Sequence, residues 1–129
     1  MPKDAKLWKV FSLYIRLRDS DEKGYGKCIT CGKVIHYASA DAGHGVGRQH
    51  QATKFDEKNS HLQCRRCNYY GAGEQAAYSQ EVEKRYGKGT WDTLVLKSRQ
   101  VCKRGQVEID TMTEYYKNEV KKLKQLKGL

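Results

Sequence analysis

The stretch NSHLQCRRCN, residues 59–68, decides the fold that the sequence predicts, because its two cysteines form half of a metal-binding pattern. Cys64 and Cys67 are separated by two residues, and Cys28 and Cys31 form an upstream pair with the same spacing. Two C-x2-C pairs are typical of a zinc ion held tetrahedrally by four thiolates. Four protein ligands leave no open coordination position, so we predict a structural zinc ion.

The alternative for these cysteines is a redox-active C-x-x-C pair. The sequence disfavours it, because there are two pairs and no thioredoxin-like βαβ pattern. The fifth cysteine, Cys102, stands alone and is interpreted as a small half-buried residue without a role. The negative charge that four thiolates leave on zinc is offset by basic residues beside the pairs, namely Lys27, Lys33, Arg65 and Arg66.

The size and charge of the chain indicate one small, basic domain. It has 129 residues and a formal net charge of +10, spread along the chain, which is typical of a protein that binds phosphate backbones. The sequence contains neither an apolar run of about 20 residues nor a signal-peptide pattern at its N-terminus. We therefore expect a cytoplasmic protein without membrane contact, in which cysteines favour metal over disulfides.

The apolar pattern predicts an α+β fold. Helices are predicted over residues 4–19, 74–86 and 91–99, with Thr90 as the N-cap of the third. The core face of the first helix is predicted to consist of Leu7, Val10, Phe11, Tyr14 and Leu17.

Between the first two helices the sequence predicts short β structure. The regions concerned are residues 25–40 and 60–64. Residues 41–54 are rich in glycine and polar side chains, and we predict a long irregular connection there. Loops of that length are more often functional or disordered than ordinary connectors.

A last helix is predicted from Thr111, which forms a capping box with Glu114. We expect two parts, residues 1–106 as the zinc-containing domain and residues 107–129 as a basic helix packed on it or on a partner. The apolar stripe of that helix is predicted to consist of Met112, Tyr116, Val120, Leu123 and Leu126.

Residues between and after the cysteine pairs have the chemistry that phosphodiester hydrolysis needs. A histidine such as His44 can take a proton from water near neutral pH, and a divalent cation neutralises charge on the phosphate. Asp and Asn oxygens suit Mg²⁺, and the spacing His44-x14-Asn59-x8-Asn68 provides them. The alternatives are a surface histidine, a turn asparagine at Asn59 and a helix-capping asparagine at Asn68.

The motifs C-x-x-C-G, A-G-H and F-x-E-x-N-x-H-x-Q-C-x-x-C-N resemble the NinG/Rap family of phage recombination endonucleases, within the HNH or His-Me finger nucleases. The resemblance covers about residues 8–95. It implies a zinc-stapled ββα core, a catalytic Mg²⁺ or Mn²⁺ ion, and cleavage of DNA, with branched recombination intermediates such as Holliday junctions as substrates. A phage-encoded protein of this kind would act in the host cytoplasm.

The resemblance also implies a role for each motif residue. His44 would be the general base that activates water, and Asn68 a ligand of the catalytic ion. Asn59 would position the loop that carries the histidine. Cys28, Cys31, Cys64 and Cys67 would hold the structural zinc.

One position departs from the family pattern. Many HNH enzymes have an Asp or His directly before the base, as a second metal ligand, and here that residue is Gly43. The candidates that remain are Asp41, His50 and His61, of which Asp41 is the prediction. Basic side chains that are either phosphate contacts or solvated charges are Arg48, Arg65 and Arg66.

Two other classes of function remain open at this stage. A zinc-dependent nucleic-acid-binding module without catalysis would need the same charge and cysteines, but would not need His44 with Asn68. A protein-interaction module would use the C-terminal helix. If the protein is the branch-specific endonuclease, the basic end helices or a homodimer would provide the surface that senses DNA branches.

Overall fold

The computed structural model describes residues 2–129 and shows a mixed α+β fold, as the sequence predicts. Its α-helices are α1 (Ala5–Arg18), α2 (Gln51–Lys54), α3 (Gln75–Tyr86), α4 (Thr90–Ser98) and α5 (Gln106–Lys127). Its strands are β1 (Tyr25–Lys27), β2 (Val34–His36), β3 (Asp41–His44) and β4 (Ser60–Gln63). A single turn of 3-10 helix spans Tyr37–Ser39, and a π-helical turn spans Arg66–Tyr70.

Helix α1 lies at the centre of the larger core. Its fully buried side chains include Leu7, Phe11 and Ile15, one turn apart, so they share a face. That face packs on α5, where Phe11 meets Tyr116 edge to face with ring centroids 4.9 Å apart. The helix predicted over residues 4–19 is confirmed, with Ile15 added to its core face.

The predicted start of α5 is wrong. The helix begins at Gln106, and Thr111 lies inside it, where its hydroxyl donates to the carbonyl of Val107 at 2.8 Å. Ile109 is buried and lies three residues before Met112, so the apolar stripe begins one turn earlier than predicted. At the other end, Leu126 is 81% exposed and lies outside that stripe.

The start of α4 also differs, by one residue. Thr90 is the first helical residue, and the N-cap is Gly89, which has a φ of +95°. The Thr90 hydroxyl donates to the carbonyl of Gly87 at 2.8 Å, so the threonine side chain stabilises the turn that precedes the helix.

The largest correction concerns residues 41–54, where the sequence predicts an irregular connection. Residues 41–44 form β3, which pairs antiparallel with β4 in the register Asp41↔Gln63 and His44↔Ser60. Gly43 allows this pairing, because a Cβ atom there would overlap the Gln63 side chain. Residues 51–54 form α2. The composition suggested a loop because the glycine that permits the close approach also lowers strand propensity.

The C-terminal end of α1 is tied to β4 by charged side chains. The Arg18 guanidinium donates to the carbonyls of Glu57 and Ser60, both at 2.8 Å. The amide of Leu62 donates to the carboxylate of Asp19 at 2.9 Å. These bonds fix α1 against the β3–β4 sheet. Within residues 2–129, no helix is both long and apolar enough to cross a membrane.

Candidate active site and metal cluster

The four paired cysteines come together, as the sequence predicts. The sulfur atoms of Cys28, Cys31, Cys64 and Cys67 all lie within 4.8 Å of one another. The sulfurs of Cys31 and Cys64 are 3.8 Å apart, which matches an edge of about 3.8 Å for a tetrahedron with Zn–S bonds of about 2.3 Å. The cluster is therefore suited to a structural zinc ion.

The backbone around the cysteines also fits a metal-binding turn. The amide of Cys67 donates to the sulfur of Cys64 at 3.4 Å, and the amide of Gly32 donates to the carbonyl of Cys28 at 2.9 Å. Gly32 has a φ of +76°, which a residue without a Cβ adopts readily. A zinc ion there would join the β1–β2 hairpin to the end of β4.

A cleft of about 340 Å³ lies between α1 and the β3–β4 sheet, and it brings together three of the predicted site residues. Asp41 and His44 reach it from the two ends of β3, and Asn68 reaches it from the π-helical turn after Cys67. The amide nitrogen of Asn68 donates to Oδ2 of Asp41 at 3.0 Å. This bond leaves the Asn68 amide oxygen and the Asp41 carboxylate as hard oxygen atoms beside the cleft.

The imidazole of His44 is held on two sides. Its Nε2 lies 2.9 Å from the carbonyl of Lys54, and its ring stacks on Trp8 with centroids 4.9 Å apart. Because a carbonyl can only accept, Nε2 carries the proton and Nδ1 keeps a lone pair. Burial lowers the pKa of His44 to about 4; the hydrogen bond to the Lys54 carbonyl opposes this effect, and the charges of Arg48 and Lys54 add to it. The ring is therefore neutral at pH 7.

Asn59 lies outside the cleft and is fully buried. Its Nδ2 donates to the carbonyls of Val46 and Thr53 at 2.9 and 3.1 Å, and its Oδ1 accepts from the amide of Val46 at 2.8 Å. These bonds hold the segment between His44 and α2 in place, because Val46 belongs to that segment and Thr53 belongs to α2. Since Lys54, which holds His44, ends α2, Asn59 also fixes the acceptor of the imidazole.

The other candidates for a second metal ligand lie elsewhere. His61 is fully buried, with Nδ1 3.0 Å from the Tyr78 hydroxyl and Nε2 2.7 Å from the Tyr86 hydroxyl. His50 occupies the N-cap of α2 and is not among the residues that line the cleft. Of the three candidates, Asp41 alone contacts Asn68.

One wall of the cleft was missed by sequence reasoning. It is formed by Trp8, Ser12 and Arg16 of α1, at four-residue steps. That spacing is visible in the sequence, but polar and aromatic residues beside a core stripe are ordinary for an amphipathic helix. Only the fold shows that this face is opposite His44.

The candidate phosphate contacts differ in position. Arg48 lines the cleft, with its guanidinium 5.6 Å from the ring centroid of Trp8. Arg65 is largely exposed and lies 3.6 Å from Oδ1 of Asp41, and Arg66 is also exposed. Arg16, which the sequence did not single out, donates to the carbonyl of Tyr37 at 2.8 Å. The cleft therefore combines a carboxylate and an amide side chain with basic side chains at its rim.

Comparison with known proteins identifies one family. A family model described as "NinG: Bacteriophage Lambda NinG protein" matches residues 3–127. Protein ninG of Escherichia phage 933W and Protein ninG of Enterobacteria phage VT2-Sa are each 35% identical over 82 residues, which is 63% of this chain and 38% of the relative. The matched segment thus spans well under half of those relatives' length. No solved structure matches the chain.

Proposed function

The chain belongs to the NinG family of bacteriophage lambda, and from that premise we propose that it is a divalent-metal-dependent DNA endonuclease of the HNH type. The observation that carries this proposal is the cleft in which His44 lies beside the hydrogen-bonded pair Asp41 and Asn68. In this proposal β3, β4 and the π-helical turn are the ββα unit, and the cysteine cluster holds its zinc.

The donor atoms beside the cleft fit a hard divalent cation. The Asp41 carboxylate and the Asn68 amide oxygen are the oxygen types that Mg²⁺ and Mn²⁺ prefer. When bound, such an ion neutralises charge on the phosphate and the leaving oxygen. Asn68 directly follows a cysteine of the cluster, so zinc binding would fix the position of this ligand.

His44 is the proposed general base. Its Nδ1 would take a proton from the attacking water, while the Lys54 carbonyl keeps the proton on Nε2 and the Trp8 ring fixes the imidazole plane. The low pKa keeps the ring unprotonated at neutral pH.

A basic surface continues from the cleft and supports DNA as the substrate. A neighbouring cavity of about 630 Å³ shares Arg48 with the cleft. Its other basic lining residues are Lys3, Lys54, Lys103 and Arg104. Lys54 is paired with Asp4 at 2.9 Å, and the Arg104 side chain is largely buried. The proposed phosphate contacts are therefore Lys3, Arg48 and Lys103, since Lys and Arg provide most of the sequence-independent affinity for DNA. Branched recombination intermediates as substrates rest on the family resemblance. The basic end helices, or a homodimer, would provide the surface that senses their geometry.

The second candidate function is a zinc-dependent nucleic-acid-binding module without catalysis. The cysteine cluster and the net charge of +10 would serve it equally well. A binding module without catalysis would, however, have no need for the pair Asp41 and Asn68 beside a neutral, oriented His44. A protein-interaction role for α5 is weaker, because its buried stripe already packs against α1.

The test is cleavage of labelled duplex, single-stranded and four-way-junction DNA by the zinc-loaded protein, with Mg²⁺, with Mn²⁺ and with neither. The proposal expects cutting that depends on the added cation, and the preferred substrate identifies what is recognised. Binding of all three DNAs without cutting under any condition would contradict the endonuclease and favour the binding module.

A further inference from the structure

Two adjacent tyrosines stand out on the surface of the π-helical turn. Tyr69 and Tyr70 are 75% and 78% exposed, more than any other of the nine tyrosines in the chain, all of which the structure describes. Exposing two large aromatic rings side by side forgoes the hydrophobic burial that aromatic residues usually provide. The pair is therefore a candidate surface for contact with another molecule.

The turn that carries these rings is anchored at both ends. Cys67 belongs to the cysteine cluster, and the amide of Gly71 donates to the carbonyl of Arg66 at 2.8 Å. The two rings also contact each other edge to face, with centroids 5.1 Å apart. A fixed aromatic pair loses little conformational entropy on binding, which favours a stacking role.

Position and charge indicate what would bind. Asn68, which lines the cleft, directly precedes Tyr69, and the exposed side chains of Arg65 and Arg66 belong to the same short segment. Aromatic rings beside basic side chains are the combination with which proteins bind single-stranded nucleic acid, because every base has a face that can stack.

We propose that Tyr69 and Tyr70 form a stacking platform for unpaired DNA bases on the π-helical turn that begins at the cysteine cluster. This inference rests on the proposed function and deepens it, because such a platform would select substrates in which bases are unpaired, such as forks and open junctions. Fully paired duplex offers stacked bases that the rings cannot reach without unstacking them.

The test uses a fork with 2-aminopurine in its unpaired arm and a fully paired duplex of the same length, without added Mg²⁺ or Mn²⁺. The variants are the double changes Tyr69→Ala with Tyr70→Ala and Tyr69→Phe with Tyr70→Phe. Tyr115→Ala is the control, because Tyr115 is an exposed tyrosine on α5. Zinc content and thermal unfolding are measured for each variant.

The wild type and the Phe variant are expected to quench 2-aminopurine and to prefer the fork. The double Ala variant should bind the fork about ten-fold more weakly, while its affinity for duplex stays within about two-fold. Tyr115→Ala should behave as the wild type.

Wild-type binding without quenching, equal losses for fork and duplex, or unchanged fork affinity of the folded Ala variant would each overturn the platform. The last result would point to a protein partner for these tyrosines. Failure of the two proposals is distinguishable, since quenching without any cleavage contradicts only the endonuclease, and cleavage without quenching contradicts only the platform.

Discussion

Asn68 and Asp41 are joined by a hydrogen bond of 3.0 Å between the amide nitrogen of one and the carboxylate of the other. Asn68 follows Cys67 in the cysteine cluster, whereas Asp41 begins β3. The bond therefore connects the metal-binding turn to the strand that ends in His44. This hydrogen bond thus links the turn of the cysteine cluster to the side chain of Asp41 and, through β3, to His44.

Asn68→Ala should weaken binding of the catalytic cation without loss of zinc. Removing a ligand oxygen and the partner of Asp41 is expected to reduce Mn²⁺ affinity at least ten-fold, by analogy with the cost of removing groups that orient metal ligands. The measurement is quenching of tryptophan fluorescence by Mn²⁺, since Trp8 lines the same cleft. Asn118→Ala, an exposed asparagine of α5, is the control. Unchanged Mn²⁺ affinity of Asn68→Ala would show that the cation does not bind there.

Loss of the zinc ion should unfold the zinc-binding part of the chain. A structural zinc site contributes on the order of 10 kcal/mol to folding in small domains. We therefore expect Cys64→Ser, or a strong chelator, to abolish zinc binding and the cooperative thermal transition. Cys102→Ser should leave both unchanged, because Cys102 lies outside the cluster. A cooperative transition that survives complete zinc removal would contradict a structural role.

Asn59→Ala should destabilise the fold. The buried Asn59 amide is hydrogen-bonded to the N–H and the carbonyl of Val46 and to the carbonyl of Thr53. Each of these buried backbone groups costs about 1–3 kcal/mol when it is left without a partner. The expected loss in the free energy of unfolding is about 3 kcal/mol, measured by urea denaturation. Asn118→Ala should change it by less than about 0.5 kcal/mol. Equal stability of the two variants would show that the loop needs no such support.

His61 should make the protein less stable in acid. Burial lowers the pKa of His61 to about 3; the charge of Asp19 opposes this effect, and the charges of Arg18 and Arg85 add to it. Since an unfolded histidine titrates near about 6.5, the unfolded chain takes up the proton first as the pH falls. The contribution of neutral, buried His61 to the free energy of unfolding is therefore fully present above about pH 6.5 and declines towards pH 3. About 2 kcal/mol of it is lost by pH 5.

This pH dependence is tested with His61→Gln, which keeps hydrogen-bonding groups near Tyr78 and Tyr86 but does not titrate. Unfolding free energies are compared between pH 7 and pH 5, relative to the wild type. The variant should lose about 2 kcal/mol less than the wild type over this range. Parallel curves for the two proteins would contradict a buried neutral His61.

What the sequence predicts well is what depends on local pattern. The cysteine pairs and α1 follow from spacing alone, since knuckle turns and amphipathic faces are set by neighbouring residues. The start of α5 could not be read this way, because Gly105 caps it without a side chain and the capping-box pattern at Thr111 falls inside the helix.

The remainder depends on contacts between distant residues. Gly43 lies in a strand because Gln63 packs against it, and no local signal reports that partner. The stack of Trp8 on His44 likewise joins a helix to a strand far along the chain. The motif predicted that His44 and Asn68 act together, with Asp41 as the candidate second metal ligand outside the motif. The fold places all three in one cleft, but their roles in catalysis stay predictions.

The central claim is that His44 is the base of a metal-dependent nuclease. It is tested most directly by single-turnover cleavage of a four-way junction with Mg²⁺ or Mn²⁺, comparing wild type, His44→Ala and His50→Ala at matched zinc content. His50 is the control because it is a nearby histidine outside the cleft. We expect that His44→Ala retains junction binding but cuts at least 100-fold more slowly, on the order of the usual contribution of a general base, while His50→Ala cuts as the wild type does. Equal cleavage rates for folded, zinc-loaded His44→Ala and wild type would contradict it.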